Sequence, residues 1–132
     1  MKHFYSILDT GCSRLVTQPI QHLVNADMAQ RAGGKVVFYT AEDVDTLKEH
    51  TILRSKLHEK PPVDGFVFFR ILQFGYGGQL DFRLIASILA AGYEMHFARE
   101  RFSIPSLAAL DQAFPELKCY EHFNCGKPFD TY

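Results

Sequence analysis

Short apolar runs along the chain alternate with segments in which apolar residues recur at helical spacing. The runs 3–8 (HFYSIL), 35–40 (KVVFYT), 64–74 (DGFVFFRILQF) and 93–100 (YEMHFARE) have the length and composition of strands. Unbroken apolar runs of this kind are typical of strands that are covered on both faces of a parallel sheet. The pattern therefore predicts four strands.

A predicted helix follows each of these strands. Helical spacing marks 17–32 and 79–91, a capping-box pattern at Thr46 and Glu49 opens a helix over about 46–60, and 106–114 forms a short last helix that Pro115 ends. The alternation predicts an α/β fold: a single three-layer domain over 1–114 with a mostly parallel sheet of about four strands. Residues 115–132 are predicted to be an irregular C-terminal tail.

Composition and charge narrow the classes of function. A chain of 132 residues that is 47% hydrophobic fits one domain with an ordinary core. Lys and Arg number 14 against 15 Asp and Glu, for a net charge of −1, so no basic field is available to recruit nucleic acid. No stretch approaches the roughly 18 apolar residues of a membrane span. We expect neither a nucleic-acid nor a membrane partner.

The cysteines favour a reducing compartment. There are three, an odd number, and the start of the chain lacks the pattern of an export signal. Cys119, His122 and Cys125 form a C-x2-H-x2-C pattern, but its spacing is irregular for zinc and a fourth ligand is not evident. The sequence thus predicts a cytoplasmic protein with no metal or cofactor.

The predicted topology also indicates where a ligand binds. In parallel α/β sheets, ligands lie outside the carboxyl ends of the strands, where the strand order switches. This rule selects residues 9–18, 39–44, 70–79 and 98–104. A helix N-terminus in the first of these segments attracts anions.

Three residues in or near these segments are candidates for catalysis. Ser13 lies in the loop after the first strand as a possible nucleophile, with Cys12 beside it, although no G-x-S-x-G motif surrounds it. His22 shares a helix face with Gln18 and is a candidate proton carrier, whereas Glu42 follows the second strand as a candidate acid or base. The alternatives are a turn hydroxyl for Ser13, contact with water or a partner for His22, and a solvated acidic loop for Glu42.

Other polar residues at the same edge are candidates for binding substrate. An arginine in the first loop, Arg14, can clamp a phosphate or carboxylate, or else lie solvated on the surface. A second arginine, Arg70, interrupts an apolar strand, where a charge is costly unless it is paired. The full set of predicted binding residues is Arg14, Gln18, Tyr39, Arg70, Gln73 and Arg99.

The fourth strand carries His96 between Met95 and Phe97. A core histidine with satisfied ring nitrogens is the simplest interpretation. The run RERFS that follows supplies Arg99 and Ser103, with further charged residues, at the end of that strand.

Four short motifs resemble the sporadic carbohydrate cluster proteins, a small bacterial family encoded beside genes for surface-polysaccharide biosynthesis. They are an arginine followed by a Gln-Pro-Ile-Gln-His helix start, Thr-Ala-Glu after strand two, Asp-Gly before strand three, and HFA.E in strand four. The matching residues are Arg14, Gln18, Pro19, Gln21, His22, Thr40, Ala41, Glu42, Asp64, Gly65, His96, Phe97, Ala98 and Glu100. The resemblance covers roughly residues 11–104 and implies a pathway context but no mechanism.

The order of elements is also similar to the catalytic domain of serine recombinases. In that domain a serine follows the first strand and arginines follow the third, and Ser13 and Arg70 stand at comparable places. The resemblance implies a resolvase-like or flavodoxin-like fold. The arginine-rich run and the DNA-binding tail of recombinases are absent, so recombination is not expected.

The sequence supports two functional hypotheses. The first is a cytoplasmic enzyme of bacterial surface-carbohydrate biosynthesis that acts on a sugar, sugar phosphate or nucleotide-activated sugar. In it, Arg14 and Arg70 bind the anion, while Ser13, with His22 or Glu42, carries out attack and proton transfer. The alternative is a non-catalytic binding or assembly module that uses the same fold to form a homodimer or to dock an enzyme.

Overall fold

The computed structural model describes residues 1–13, 15–42, 50–76 and 78–124. The predicted binding residue Arg14 and the predicted helix start at Thr46 and Glu49 lie outside the described residues, as does 125–132.

The described strands form a five-stranded sheet and a small separate hairpin. The strands are β1 (Lys2–Asp9), β2 (Gly34–Glu42), β3 (Gly65–Phe68), β4 (Gly75–Tyr76), β5 (Gln79–Leu80), β6 (Glu94–Phe97) and β7 (Phe102–Ile104). The large sheet has the order β2-β1-β3-β6-β7, and β4 pairs only with β5. All neighbours in the large sheet are parallel except β6 and β7. The prediction of an α/β fold with a mostly parallel sheet is confirmed, with one strand more than expected.

The described residues include four helices. They are α1 (Gln18–Arg31), α2 (Thr51–His58), α3 (Phe82–Ala90) and α4 (Leu110–Asn124). The predicted third strand is split, because only its first part is extended and Ile71–Phe74 forms a 3-10 turn. None of the described helices combines the length and the hydrophobicity needed to cross a bilayer.

The core of the described residues consists of two apolar clusters, and alternate residues of a strand contribute to different clusters. Phe4 packs with Met28 and Ala29 of α1, whereas Tyr5 and Ile7 join the larger cluster. Alternation of this kind is expected where both faces of a strand are covered. The larger cluster is built around aromatic rings and residues of the other three helices: Phe66, Phe68, Phe74, Phe97, Leu53, Leu84, Ile85, Ile88, Leu89, Ala113 and Leu117.

Helix α4 continues through Pro115, so the prediction of an irregular tail from this residue onward is wrong for 115–124. A proline inside a helix removes one backbone hydrogen bond and costs about 3 kcal/mol. Tertiary contacts offset this cost: Leu117 is fully buried, and the Glu121 carboxylate accepts a hydrogen bond from the backbone N–H of Leu80 at 2.8 Å.

Helix α1 buries a different face from the one that its apolar spacing predicts. Ile20 and Leu23 are 51% and 68% exposed, whereas the amide side chains of Gln21 and Asn25 are buried. The reason is hydrogen bonding, because Asn25 Nδ2 donates to Ser6 Oγ at 2.9 Å and Gln21 binds backbone groups of the first loop.

Candidate functional site

A buried ion pair joins the carboxyl ends of β1 and β3. Ile7 of β1 is opposite Phe68 of β3, so Arg70 follows β3 at the level at which Asp9 ends β1. The Arg70 Nε lies 2.6 Å from Asp9 Oδ2, and both side chains are fully buried. The first loop and the exit of the third strand therefore meet at one edge of the sheet.

Two glutamine side chains hold the backbone on either side of this pair. Gln21 accepts from Asp9 N and donates to Asp9 O, each at 2.8 Å, and it also donates to the carbonyl of Val16. Gln73 accepts from Arg70 N at 3.0 Å and donates to Ile7 O at 3.2 Å. A buried polar cluster of this kind fixes the geometry of its loops because nearly every group within it needs a partner.

The predicted substrate-binding role of Arg70 and Gln73 is therefore corrected to a structural one. Their side chains are 0% and 2% exposed and bind groups of the protein itself. The sequence correctly indicated that a charged residue within this apolar run needs a partner. Its partner is an aspartate 61 positions earlier in the chain.

Glu42 also has a structural contact in place of the predicted catalytic one. Its buried carboxylate accepts hydrogen bonds from the backbone N–H groups of Ile52, at 3.3 Å, and Leu53, at 3.0 Å, in the first turn of α2. A carboxylate at a helix N-terminus satisfies free N–H groups and complements the helix dipole. Glu42 thus connects the end of β2 to the start of α2.

The remaining predicted residues of the first loop and α1 make other contacts than a hydrogen bond to the Glu42 side chain. Within the described part of the chain, no hydrogen bond joins the Ser13 hydroxyl to His22 or Glu42, and that hydroxyl is buried without a partner. Gln18 is exposed at the start of α1. The His22 ring packs on the ring of Tyr39, with centroids 4.8 Å apart, and Tyr39 is 66% exposed.

Arg99, the last predicted binding residue, follows β6 at the same edge. Its backbone N–H donates to Phe69 O at 2.8 Å, and its Nη1 lies 3.6 Å from Glu100 Oε2. Glu100 in turn accepts from Ile71 N at 3.0 Å, and burial raises the pKa of its carboxyl group. Arg99 is therefore engaged in the loop that packs on the turn after β3.

A cavity of about 430 Å³ opens on the carboxyl side of β2 and β3. Phe74 ends the turn after β3, His50 directly precedes α2, and Asp81 caps α3. The edge predicted for a ligand thus contains a cavity, although most of its lining was not predicted. The lining residues are His50, Phe74, Gln79, Leu80, Asp81, Phe82 and Arg83.

His50 is the most unusual residue of this cavity. It is only 4% exposed, its φ of 52° lies in the left-handed region, and its ring stacks on Phe74 with centroids 5.1 Å apart. Burial lowers the pKa of His50 to about 4, Asp81 opposes this shift and Arg54 adds to it. The imidazole is therefore neutral at neutral pH.

Asp81 and Arg54, the two charged residues that affect the pKa of His50, contact each other. Asp81 Oδ1 accepts from Leu84 N at 3.0 Å and so caps α3, while its Oδ2 lies 3.6 Å from Arg54 Nη2. Arg83 lines the cavity from the first turn of α3 and is exposed. The site thus presents an aromatic wall, a neutral imidazole and a guanidinium.

The pH dependence of stability tests the burial of His50. Because its folded pKa of about 4 lies below the ordinary 6.5, the unfolded chain binds this proton more readily. The contribution of the neutral His50 ring to the free energy of unfolding is therefore fully present above pH 6.5 and is lost as the pH falls toward 4. We expect His50→Gln to flatten the fall in unfolding free energy over this range, as measured by urea denaturation. The exposed His58→Gln is the control, and parallel curves for His50→Gln and the unmodified protein would contradict this.

The described residues provide no cluster of three or more His, Cys, Asp or Glu side chains that could hold a metal ion. Cys119 carries an exposed free thiol. Its predicted companion Cys125 lies outside the described residues.

Comparison with known proteins gives no match: no family model, no curated protein and no solved structure matches the chain.

Proposed function

We propose that the protein is a cytoplasmic enzyme of bacterial surface-carbohydrate biosynthesis that binds a sugar phosphate, or another anionic sugar, in the cavity beside His50. The observation that carries the proposal is the composition of the cavity at the carboxyl edge of a parallel sheet. Aromatic, amide, carboxylate, imidazole and guanidinium groups line a single space of about 430 Å³.

Each part of the lining suits one part of such a ligand. The partly exposed side chain of Phe82 offers apolar surface for the C–H groups of a sugar ring, and Phe74 supports the His50 ring from behind. Gln79 and Asp81 offer hydrogen bonds to hydroxyl groups, and the guanidinium of Arg83 can bind two phosphate oxygens at once.

His50 is the group of this cavity that handles hydrogen bonds to the reacting part of the sugar. Because the pKa of its imidazole is lowered to about 4, the ring stays neutral and can donate from one nitrogen while it accepts at the other. The predicted catalytic residues Ser13, His22 and Glu42 do not line the cavity, so the proposal assigns this role to His50 in their place.

The family of the protein and the three-layer architecture of its fold are also proposals. The four motifs that resemble the sporadic carbohydrate cluster proteins support membership of that family. The order β2-β1-β3-β6 of the parallel strands agrees with the flavodoxin-like order, and the two core clusters support a three-layer, resolvase-like arrangement.

A non-catalytic assembly module is the second candidate. Three large apolar side chains on α1 and on the α1 side of the edge strand β2 are exposed, and a patch of this kind is typical of a contact surface. They are Ile20, Leu23 and Tyr39. In this alternative the patch contacts a second copy of the chain.

Calorimetric titration with a panel of hexose phosphates tests the first proposal. We expect binding by the unmodified protein and a loss of affinity of about tenfold or more in Arg83→Ala, because a charge-assisted contact with phosphate is removed. Arg31→Ala removes the same charge far from the cavity and should bind normally. Binding that Arg83→Ala leaves intact would contradict the site, and a dimer that binds none of the panel would favour the assembly module.

A further inference from the structure

Three polar side chains on β6 and β7 form a hydrogen-bonded chain apart from the cavity. Ser103 Oγ lies 2.7 Å from His96 Nδ1, and His96 Nε2 lies 2.9 Å from Glu94 Oε1. The other oxygen of this carboxylate, Glu94 Oε2, lies 2.7 Å from Lys2 Nζ. A hydroxyl, an imidazole and a carboxylate are thus connected in the order of a nucleophilic triad.

The strand geometry explains why these residues meet. His96 and Ser103 are directly opposite each other in the antiparallel pair of β6 and β7. Glu94 lies two positions before His96, and residues two apart project from the same face of a strand. The imidazole is 4% exposed and packs edge-on against Phe4, with centroids 5.1 Å apart, whereas Ser103 is exposed. Ser103 is therefore on the exposed side of this group of residues, and the imidazole that can accept its proton is buried.

The hydrogen bonds assign the tautomer of the imidazole. An ionised Glu94 only accepts, so Nε2 of His96 carries the proton and Nδ1 is free to accept from the Ser103 hydroxyl. Burial lowers the pKa of His96, while the bond to Glu94 and its negative charge raise it and the charge of Lys2 lowers it. A neutral imidazole with a free lone pair is the state that a general base requires.

We infer that Ser103, His96 and Glu94 form a catalytic unit that hydrolyses small carboxylic esters. Ser103 Oγ attacks the acyl carbon while its proton passes to His96 Nδ1, and the leaving alkoxide takes that proton and departs as the alcohol. Water then gives a proton to Nδ1 and attacks the acyl carbon; the bond from this carbon to Ser103 Oγ breaks, Oγ takes the proton back from Nδ1, and the acid is released. Glu94 is a positioning residue that orients the ring and stabilises the imidazolium.

A groove beyond the end of β6 is the proposed place for the ester. Ala98 follows β6 directly, belongs to the same core cluster as Phe4, on which the His96 ring packs, and lines a cavity of about 310 Å³ together with Met28 and Arg101. The guanidinium of Arg101 favours an ester that also carries an anionic group. Because β7 is the last strand of the sheet, alternate backbone N–H groups point away from β6 and can donate to the developing oxyanion.

Labelling with phenylmethylsulfonyl fluoride, followed by intact mass and peptide mapping, tests the nucleophile. We expect one adduct per chain, on Ser103, and none in Ser103→Ala. The matched control Ser55→Ala removes an exposed serine of α2 and should be labelled like the unmodified protein. Absence of an adduct from the folded protein, or an adduct on another residue, would overturn the inference.

Hydrolysis of p-nitrophenyl acetate tests the base and the carboxylate. We expect kcat to fall about a hundredfold in His96→Asn and in Glu94→Gln. The KM of Glu94→Gln should be unchanged. The melting temperatures of both variants show whether they are folded. A Glu94→Gln variant that melts normally and keeps its kcat would show that the carboxylate has only a structural role and would contradict the triad. Ser103→Ala, at an exposed position, keeps the test decisive if the His96 variant does not fold.

Discussion

Replacing Arg70 with methionine is expected to lower the free energy of unfolding by about 3–5 kcal/mol, because the Asp9 carboxylate is left buried without its cationic partner. Both side chains are fully buried, and Arg70 Nε lies 2.6 Å from Asp9 Oδ2. Methionine keeps an unbranched apolar stem but lacks the guanidinium, so the variant removes the charge and its hydrogen bonds. Urea denaturation at neutral pH gives the measurement.

An exposed ion pair provides the matched control for this variant. Arg31 Nε lies 2.8 Å from Asp27 Oδ2, and both side chains are more than half exposed. Arg31→Met should therefore cost no more than about 1 kcal/mol. The double variant Asp9→Leu with Arg70→Met should recover part of the loss, because neither charge of this pair is then left buried without the other. Equal costs for the two arginine variants would contradict the structural role of Arg70.

Replacing Leu117 with alanine is expected to cost about 2–5 kcal/mol, because the side chain is fully buried and its removal leaves a cavity. The variant tests whether the helix continues past Pro115 and packs on the core. Leu107→Ala is the control, since this leucine is 46% exposed and its truncation should cost about 0.5 kcal/mol. A loss from Leu117→Ala as small as that of the control would indicate that the segment after Pro115 does not pack on the sheet.

Much of the fold could be predicted because its strands are buried apolar runs. Runs such as 3–8 and 35–40 coincide closely with β1 and β2, and the alternation with helices gives a mostly parallel sheet. The path of α4 through Pro115 could not be predicted, because local propensity ends a helix there and the compensating burial of Leu117 depends on tertiary packing.

The contacts at the site depend on residues far apart in the chain, which explains why they were missed. The sequence marked Arg70 as special, but its partner Asp9 is 61 positions away. Burial of Gln21 on α1 likewise depends on backbone groups of the first loop, which apolar periodicity does not detect. His50 falls inside the predicted helix over 46–60, whereas the described helix begins after it and leaves its ring facing the cavity.

Nuclear magnetic resonance of the histidine rings tests the central claim, that an anionic sugar binds beside His50, most directly. The chain has six histidines, and a His50→Gln variant assigns the signal of this ring. We predict that a hexose phosphate shifts the His50 ring signals at neutral pH and leaves those of His22 and His96 unchanged. Shifts at His22 alone, or at no histidine in the presence of saturating hexose phosphate, would contradict the account.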